Sequence, residues 1–281
     1  MTSELLPHRT MGKTGFSVSI LGLGGGGVFF SHDNRDEALE ILNRAIDLGV
    51  NYLDTAPSYG ASEDHYGEIL NLRREEVFLA TKVHPRGYDD AKKTMDASVT
   101  RLKTDHIDLI QVHDIQSSDD FDQAFDGSLK AMVEARDEGI VRWIGVTGHH
   151  DPDALAYAIE RFDFDTVLMP VNITDKHYLS FIDNVLPMAL KRNMGVIAMK
   201  VYCAGGVFEN LDVTPKDSLR YALSFPVSTA IVGVDNLHQL LENIEIVRQF
   251  EPMRNEEQTA MLDRTRDKAA VCSSKFKHSP G

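Results

Sequence analysis

Short apolar runs alternate with amphipathic stretches eight times along this chain, and that alternation restricts its fold more than any other feature. The runs are 19–24 (SILGLG), 50–54 (VNYLD), 77–82 (VFLATK), 107–113 (IDLIQVH), 141–147 (VRWIGVT), 165–172 (DTVLMPVN), 195–200 (GVIAMK) and 228–233 (STAIVG). Each is brief, rich in β-branched residues and nearly continuous rather than alternating, as expected of a parallel strand covered on both faces. Helical periodicity follows over 36–48, 63–72, 90–103, 120–138, 151–161, 180–193, 215–224 and 237–249. In 36–48, Ala38, Leu39, Leu42, Ala45 and Ile46 form one stripe, with Asp36 and Glu37 in the first turn, where the helix dipole favours them. Asp151-Pro152 is a good helix start, an N-cap followed by proline at the first helical position.

Eight strands and eight helices in 281 residues predict an α/β fold, a (β/α)8 or TIM barrel. Residues 8–18, with the turn signal Gly12-Lys13-Thr14-Gly15, read as a β-hairpin plugging the barrel bottom. No linker or composition break divides the chain, so 1–281 is expected to be one domain: a barrel over about 8–250, then a C-terminal helix (255–270) and a frayed tail (SSKFKHSPG).

Charge narrows the function classes. Lys+Arg is 29 against Asp+Glu 43, a net charge of -14, and no basic run is long enough to hold a polyanion, so nucleic acid is not an expected partner. No stretch of 18 apolar residues occurs, and the first residues lack the apolar core of a signal peptide; no membrane association and a cytoplasmic location are expected. The two cysteines, Cys203 and Cys272, fit a reducing compartment and form no metal cage. Oligomeric state is not legible.

Several apolar runs end in a residue such a run does not ordinarily carry: Asp54, Lys82, His113, Asn172 and Lys200. In a barrel these ends converge on the face where active sites are built. Each alone has a structural explanation, such as a capped turn, a snorkelling lysine or an edge histidine; three at successive strand ends are harder to explain that way. Tyr59 follows the second run by five residues. A phenol of pKa about 10 is a poor acid near neutrality, and a nearby Lys82 ammonium is expected to lower that pKa. Lys82 would need Asp54 as its counter-charge, and His113 could hydrogen-bond and orient a carbonyl oxygen. Such a site protonates a developing alkoxide but has no hydride source, so it implies a nicotinamide cofactor.

Gly22-Leu23-Gly24-Gly25-Gly26-Gly27 matches the G-x-G-x-x-G dinucleotide fingerprint, but VFFSHDN intervenes before any helix and eight strands exceed a Rossmann unit. These glycines, Gly25 and Gly26 especially, read instead as a loop where a ligand lies against backbone.

Asp54-Thr55-Ala56-Pro57-Ser58-Tyr59-Gly60 resembles the D-x-A-x-x-Y-G segment of the aldo-keto reductase superfamily. Ser62-Glu63, Gly67-Glu68, Ala80-Thr81-Lys82, Ile107 to His113, Ile144-Gly145-Val146-Thr147 and Glu242-Asn243 continue the likeness in order, from about Arg9 to Arg248. The resemblance implies an NADP(H)-dependent carbonyl reductase with Tyr59 as acid/base and Asp54, Lys82 and His113 completing a tetrad; Tyr59, His113 and His149 would line the substrate site. It also implies cofactor contacts, with Thr147-Gly148 where the family often has Ser-Asn, and Leu168 and Met199 where it has a glutamine and a stacking aromatic. His149 or Asn172 could supply the carboxamide contacts. Lys200 and Cys203-Ala204-Gly205-Gly206 resemble the pyrophosphate turn, and Gly233 to Asn243, with Glu242 and Asn243, the adenosine site. Asp235 and Gln239 stand where members preferring a 2′-phosphate carry Arg or Lys, which opens NAD(H) as an alternative, with His238 or Asn236 as other partners for the phosphate. His149-His150 and Met199-Lys200 resemble an uncommon bacterial or archaeal branch, some of whose members hold a C-terminal iron–sulfur cluster that a tail with only Cys272 cannot bind.

Two competing readings stand beside the reductase. One is a barrel metal hydrolase using Asp54, His84, His113, His149 and His150, although the first run lacks the H-x-H such a site expects. The other is a non-catalytic subunit that senses nicotinamide redox state. On the reductase reading no metal is expected.

Overall fold

The computed structural model describes residues 6–278. A hairpin, β1 (His8–Thr10) and β2 (Ser17–Ser19), precedes the barrel. The chain then alternates: β3 (Leu21–Gly27), α1 (Arg35–Asp47), β4 (Tyr52–Asp54), α2 (Ser62–Arg73), β5 (Phe78–Val83), α3 (Tyr88–Leu102), β6 (Ile107–Val112), α4 (Ser118–Asp126) and α5 (Ser128–Asp137). It continues through β7 (Val141–Thr147), α6 (Pro152–Arg161), β8 (Thr166–Pro170), α7 (Phe181–Asn184), α8 (Leu186–Lys191), β9 (Gly195–Met199), α9 (Gly206–Asn210), α10 (Pro215–Leu223), β10 (Thr229–Val234) and α11 (Leu237–Arg248). After it come α12 (Asn255–Thr265) and α13 (Ala269–Ser273). Strands β3 to β10 are parallel and close into an eight-stranded barrel, β10 pairing with β3. The expected TIM barrel with its N-terminal hairpin is what forms.

The barrel interior follows from period two along each strand. Tyr52, Phe78, Ala80, Leu109, Leu168 and Ile197 pack together inside, with Trp143, Met199 and Ile231 against them. Met11 and Val18 of the hairpin region belong to the same cluster, and Phe16 meets Phe78 edge-on at 4.9 Å. The hairpin therefore plugs the bottom. Gly12, at φ +47, fits beneath β9 only because it lacks a side chain: a Cβ there would lie 2.3 Å from the Gly195 nitrogen. One step further along the same inward columns, Tyr52 gives way to Asp54, Ala80 to Lys82, Leu109 to Gln111 and Trp143 through Gly145 to Thr147. Apolar side chains fill the bottom and polar ones face the top.

Three helices expected to be continuous are broken. The 120–138 stretch divides at Gly127, where a Cβ would lie 2.2 Å from the Arg86 carbonyl; the close approach of that loop interrupts the helix. The 180–193 stretch divides at Val185, with Pro187 in the first turn of α8. The 255–270 stretch ends at Thr265, whose hydroxyl donates to the Ile173 carbonyl at 2.8 Å, and resumes as α13. The glycine run is not a loop: Gly24 to Gly27 extend β3.

The tail departs most from expectation. Phe276 and Lys277 are buried, and the Lys277 ammonium lies 2.7 Å from the equally buried Asp175 carboxylate. Ser273 adds a 2.9 Å hydrogen bond to Thr174. A chain end with one large apolar anchor and one buried ion pair does not fray; the mostly polar composition of SSKFKHSPG conceals both. Residues 279–281 of the expected frayed tail lie outside the described residues.

Candidate active site

Asp54 ends β4, and Lys82 is the penultimate residue of β5. The Lys82 ammonium donates to Asp54 Oδ1 at 2.5 Å and to the Thr55 carbonyl at 2.8 Å, and the amide of Gln111 donates to the other Asp54 oxygen at 3.2 Å. Burial pulls the Lys82 pKa down, but Asp54 and Tyr59 more than restore it, leaving it above the ordinary lysine value. The pair is compensated, and the ammonium persists without water.

Tyr59 lies on the loop between β4 and α2, with its ring 4.8 Å from the Lys82 nitrogen and edge-on to the His113 imidazole at 5.9 Å. Thr55 to Ser62 holds that loop in place at 2.8 Å, and Phe30 packs on the outer face of the phenol ring. Burial pushes the phenol pKa up, Lys82 pulls it down and Asp54 adds a smaller push upward; the balance lies above the usual tyrosine value. This corrects the expectation that Lys82 sets the direction. Lys82 does lower the pKa, but desolvation outweighs it, so Tyr59 rests firmly protonated.

His113 follows β6, its amide held by the Val83 carbonyl at 2.9 Å. Burial foremost, then the charge of Lys82 and the neighbouring His84 and His149, holds its pKa down at about 2. The imidazole is therefore neutral, and its buried Nδ1 has no partner among the described residues. A neutral ring with a free polar atom beside a protonated phenol can orient an acceptor oxygen that is not in the structure.

The other sequence-derived positions gather on the same rim. Gly25 admits no side chain, since a Cβ would meet the Ser62 hydroxyl at 2.4 Å, whereas a Cβ on Gly26 would meet nothing within 4 Å. The rim is thus tight at Gly25 and open at Gly26. Thr147 is tied to the loop after β6, its hydroxyl accepting from the Asp114 amide at 2.8 Å, while the Gly148 amide donates to the Leu168 carbonyl of β8 at 3.3 Å. Asn172 is fully buried; its oxygen accepts from Thr174, and its Nδ2 has no partner among the described residues. That unsatisfied amide suits a carboxamide oxygen. Met199 packs on the barrel interior, and Lys200, at φ +53, lies 5.9 Å from the Phe276 ring. Cys203, Ala204 and Gly205 take three consecutive left-handed conformations, in a turn closed by the Cys203 and Gly205 amides donating to the carbonyls of Lys200 at 2.8 Å and Tyr202 at 2.9 Å. Gly233 and Asp235 are exposed at the β10 end, where Gln239 accepts from the Asp235 amide at 2.8 Å. Glu242 is exposed on α11, while Asn243 turns inward and accepts from the Tyr202 hydroxyl at 2.6 Å.

His149 does not stand free to line a pocket: its Nδ1 lies 3.1 Å from the Phe276 carbonyl and its Nε2 3.2 Å from Asp114. The metal set of Asp54 with the histidines does not assemble, because Asp54 is engaged with Lys82 and Gln111. Sequence reasoning passed over Gln111, Asp114, Arg86 and the tail. Arg86 binds Asp120 through two of its guanidinium nitrogens, Nε and Nη2, each at 2.7 Å, and reaches the carbonyls of His113 and Asp114, fixing the loop that carries them. Asp114 was discoverable as a carboxylate directly after a strand-end histidine.

The sequence profile of the Aldo/keto reductase family matches residues 21–218. The chain belongs to that family. It is 28% identical to the L-galactose dehydrogenase of Arabidopsis thaliana over 294 residues, covering 89% of this chain and 91% of that protein. Its fold superposes on an aldo-keto reductase of Bacillus halodurans, AKR11C1 in its holo form, with a TM-score of 0.80 over 95% of this chain and 98% of that one, at 24% identity. It also superposes on an aldo/keto reductase from Klebsiella pneumoniae solved with NADP and acetate, with a TM-score of 0.74 at 21% identity, over 93% of this chain and 96% of that one. At those identities the two structures speak for the fold. Membership makes the chain an oxidoreductase acting with a nicotinamide cofactor on small molecules. Among the described residues no helix is long and apolar enough to cross a membrane.

Proposed function

We propose that this aldo/keto reductase reduces an aldehyde or ketone reversibly to the alcohol, with Tyr59 as proton donor. The observation that carries the reading is the neutral His113, its Nδ1 unpartnered, edge-on to a protonated Tyr59 whose ring lies 4.8 Å from the Lys82 ammonium. A nicotinamide dinucleotide, when bound, would supply the hydride that the carbonyl carbon accepts. His113 holds the carbonyl oxygen by hydrogen bond and directs it towards the phenol. Tyr59 gives its proton to that oxygen as negative charge develops, and Lys82, neutralised by Asp54, stabilises the phenolate left behind. Asp54 and Lys82, each 1% exposed, form their ion pair away from water behind the half-buried Tyr59 and His113.

The rim residues fit a dinucleotide. Asn172 offers its free amide to the nicotinamide carboxamide beside Thr147, Gly148 and Met199; Gly25 and Gly26 give close access to backbone; Lys200 and Gly205 take the pyrophosphate. Gly233, Asp235, Gln239, Glu242 and Asn243 take the adenosine end. NADP(H) is the proposed cofactor, as membership of the Aldo/keto reductase family suggests. The exposed Asp235 carboxylate opposes a 2′-phosphate, so NAD(H) is accepted as well.

A panel of small aldehydes and ketones, with NADPH and NADH consumption followed by absorbance, tests the reading. Turnover of any member supports it; tight dinucleotide binding with none turned over would favour a sensing role instead.

A further inference from the structure

A group of metal-ligating side chains lies just outside the tetrad and takes no part in the chemistry above. Asp114, on the loop after β6, and His149 and His150, on the loop after β7, bring three ligand atoms within 4.8 Å of one another. The nearest approaches are His149 Nε2 to Asp114 Oδ1 at 3.2 Å and His150 Nε2 to Asp114 Oδ2 at 3.4 Å. The three side chains are 20%, 23% and 13% exposed in the order His149, His150, Asp114.

What makes this more than two histidines beside an acid is the hydrogen-bond demand on each nitrogen. The Phe276 carbonyl, 3.1 Å from His149 Nδ1, can only accept, so that nitrogen carries the proton. In the neutral ring Nε2 then presents a lone pair, and it faces Asp114 Oδ1. That oxygen is itself buried with no hydrogen-bond partner among the described residues. A lone pair opposite a carboxylate is unfavourable unless a proton or a metal cation lies between them, and the second imidazole, facing the other Asp114 oxygen at 3.4 Å, points to the metal. The opposite tautomer only moves the clash to Phe276. An imidazole that gives its far N–H to a backbone carbonyl while its near nitrogen meets a carboxylate is how a ligating histidine is usually oriented. The two imidazole–carboxylate separations, 3.2 and 3.4 Å to the two oxygens of Asp114, are close to the roughly 3.3–3.6 Å that arms of about 2.0–2.2 Å to a tetrahedral ion set between ligand atoms.

We propose that Asp114, His149 and His150 bind one divalent transition-metal ion of the zinc type at the mouth of the active site. Three protein ligands leave a further position for solvent. Two imidazoles and a carboxylate select such an ion over magnesium or calcium, which take oxygen ligands. The ion would clamp the β6 and β7 loops together and, through the His149 bond to Phe276, fasten the C-terminal segment over the rim. This departs from the sequence-based expectation of no metal.

The test uses the full chain, stripped with a chelator and titrated with Co²⁺ near neutral pH without dinucleotide, so its outcome is independent of reductase activity. One cobalt per chain, with the intense visible bands of a four-coordinate site that Zn²⁺ bleaches, is the expected result. His150→Ala and Asp114→Asn should each weaken binding at least about tenfold, with unchanged circular dichroism. Because Asp114→Asn could disturb the loop, His150→Gln is the second variant, and His84→Ala, outside the set, is the control that retains binding. Absence of a cobalt spectrum in the wild type, or wild-type affinity in both His150→Ala and His150→Gln, overturns the proposal.

Discussion

The Asp54 carboxylate and the Lys82 ammonium meet at 2.5 Å in a site where both side chains are 1% exposed. Breaking a buried pair leaves the survivor charged without solvent, which costs about 3–5 kcal/mol. Lys82→Met, which keeps much of the volume, is expected to lose stability of that order by urea denaturation. Replacing both residues, as Asp54→Asn with Lys82→Met, should recover most of it. Equal stability of wild type and Lys82→Met would show that the pair is not held as described.

The buried imidazoles make stability depend on acid. Folded His113 has its pKa held at about 2 and folded His149 at about 4, in both cases chiefly by burial, against an ordinary 6.5. The unfolded chain therefore binds protons that the folded one refuses. Stability is full above about pH 6.5 and is lost as pH falls below it, at up to roughly 1.4 kcal/mol per pH unit for each ring. His113→Gln should flatten this acid limb between about pH 6 and 4 in chemical-denaturation series. An unchanged slope would mean that the ring is not buried neutral.

Lys277 anchors the C-terminal segment through Asp175, both side chains being fully buried. Lys277→Ala is expected to cost several kcal/mol, about 3–5, whereas Asp175→Asn combined with Lys277→Met should cost much less. A double-mutant cycle by thermal or urea unfolding measures the coupling. Additive effects of the two substitutions would indicate that the pair does not form.

Asp235 stands exposed at the end of β10, bonded through its amide to Gln239. Exchanging its charge as Asp235→Arg should raise the preference for NADPH over NADH by tenfold or more, on the order of 1.4 kcal/mol, with NADH affinity little changed. Fluorescence titration of both dinucleotides reads the ratio. An unaltered ratio would place the 2′-phosphate elsewhere.

The barrel was legible because eight doubly covered strands leave eight continuous apolar runs, a pattern few folds produce. Asp54, Lys82 and His113 stood out for the same reason: each interrupts a run that is otherwise apolar. The helix break at Gly127 was not legible, since it arises from the close approach of the Arg86 loop, whereas the break at Val185 had a local signal in Pro187 that the apolar periodicity masked. The net direction of the Tyr59 pKa was misread because a neighbouring charge is visible in sequence and desolvation is not. The tail was misread for a related reason: Phe276 and Lys277 acquire their weight only from Asp175 and His149, which lie about a hundred positions or more away. Asp114 became significant only once the β6 and β7 loops were side by side.

The central claim is that the Tyr59 hydroxyl supplies the proton. Tyr59→Phe removes that one oxygen and leaves the ring to pack against Phe30 and His113. Measured side by side, NADPH binding by fluorescence quenching should be retained within a few-fold, while single-turnover carbonyl reduction falls by at least roughly 10²–10⁴, the usual share of general acid catalysis. Turnover equal to wild type in Tyr59→Phe would contradict the account.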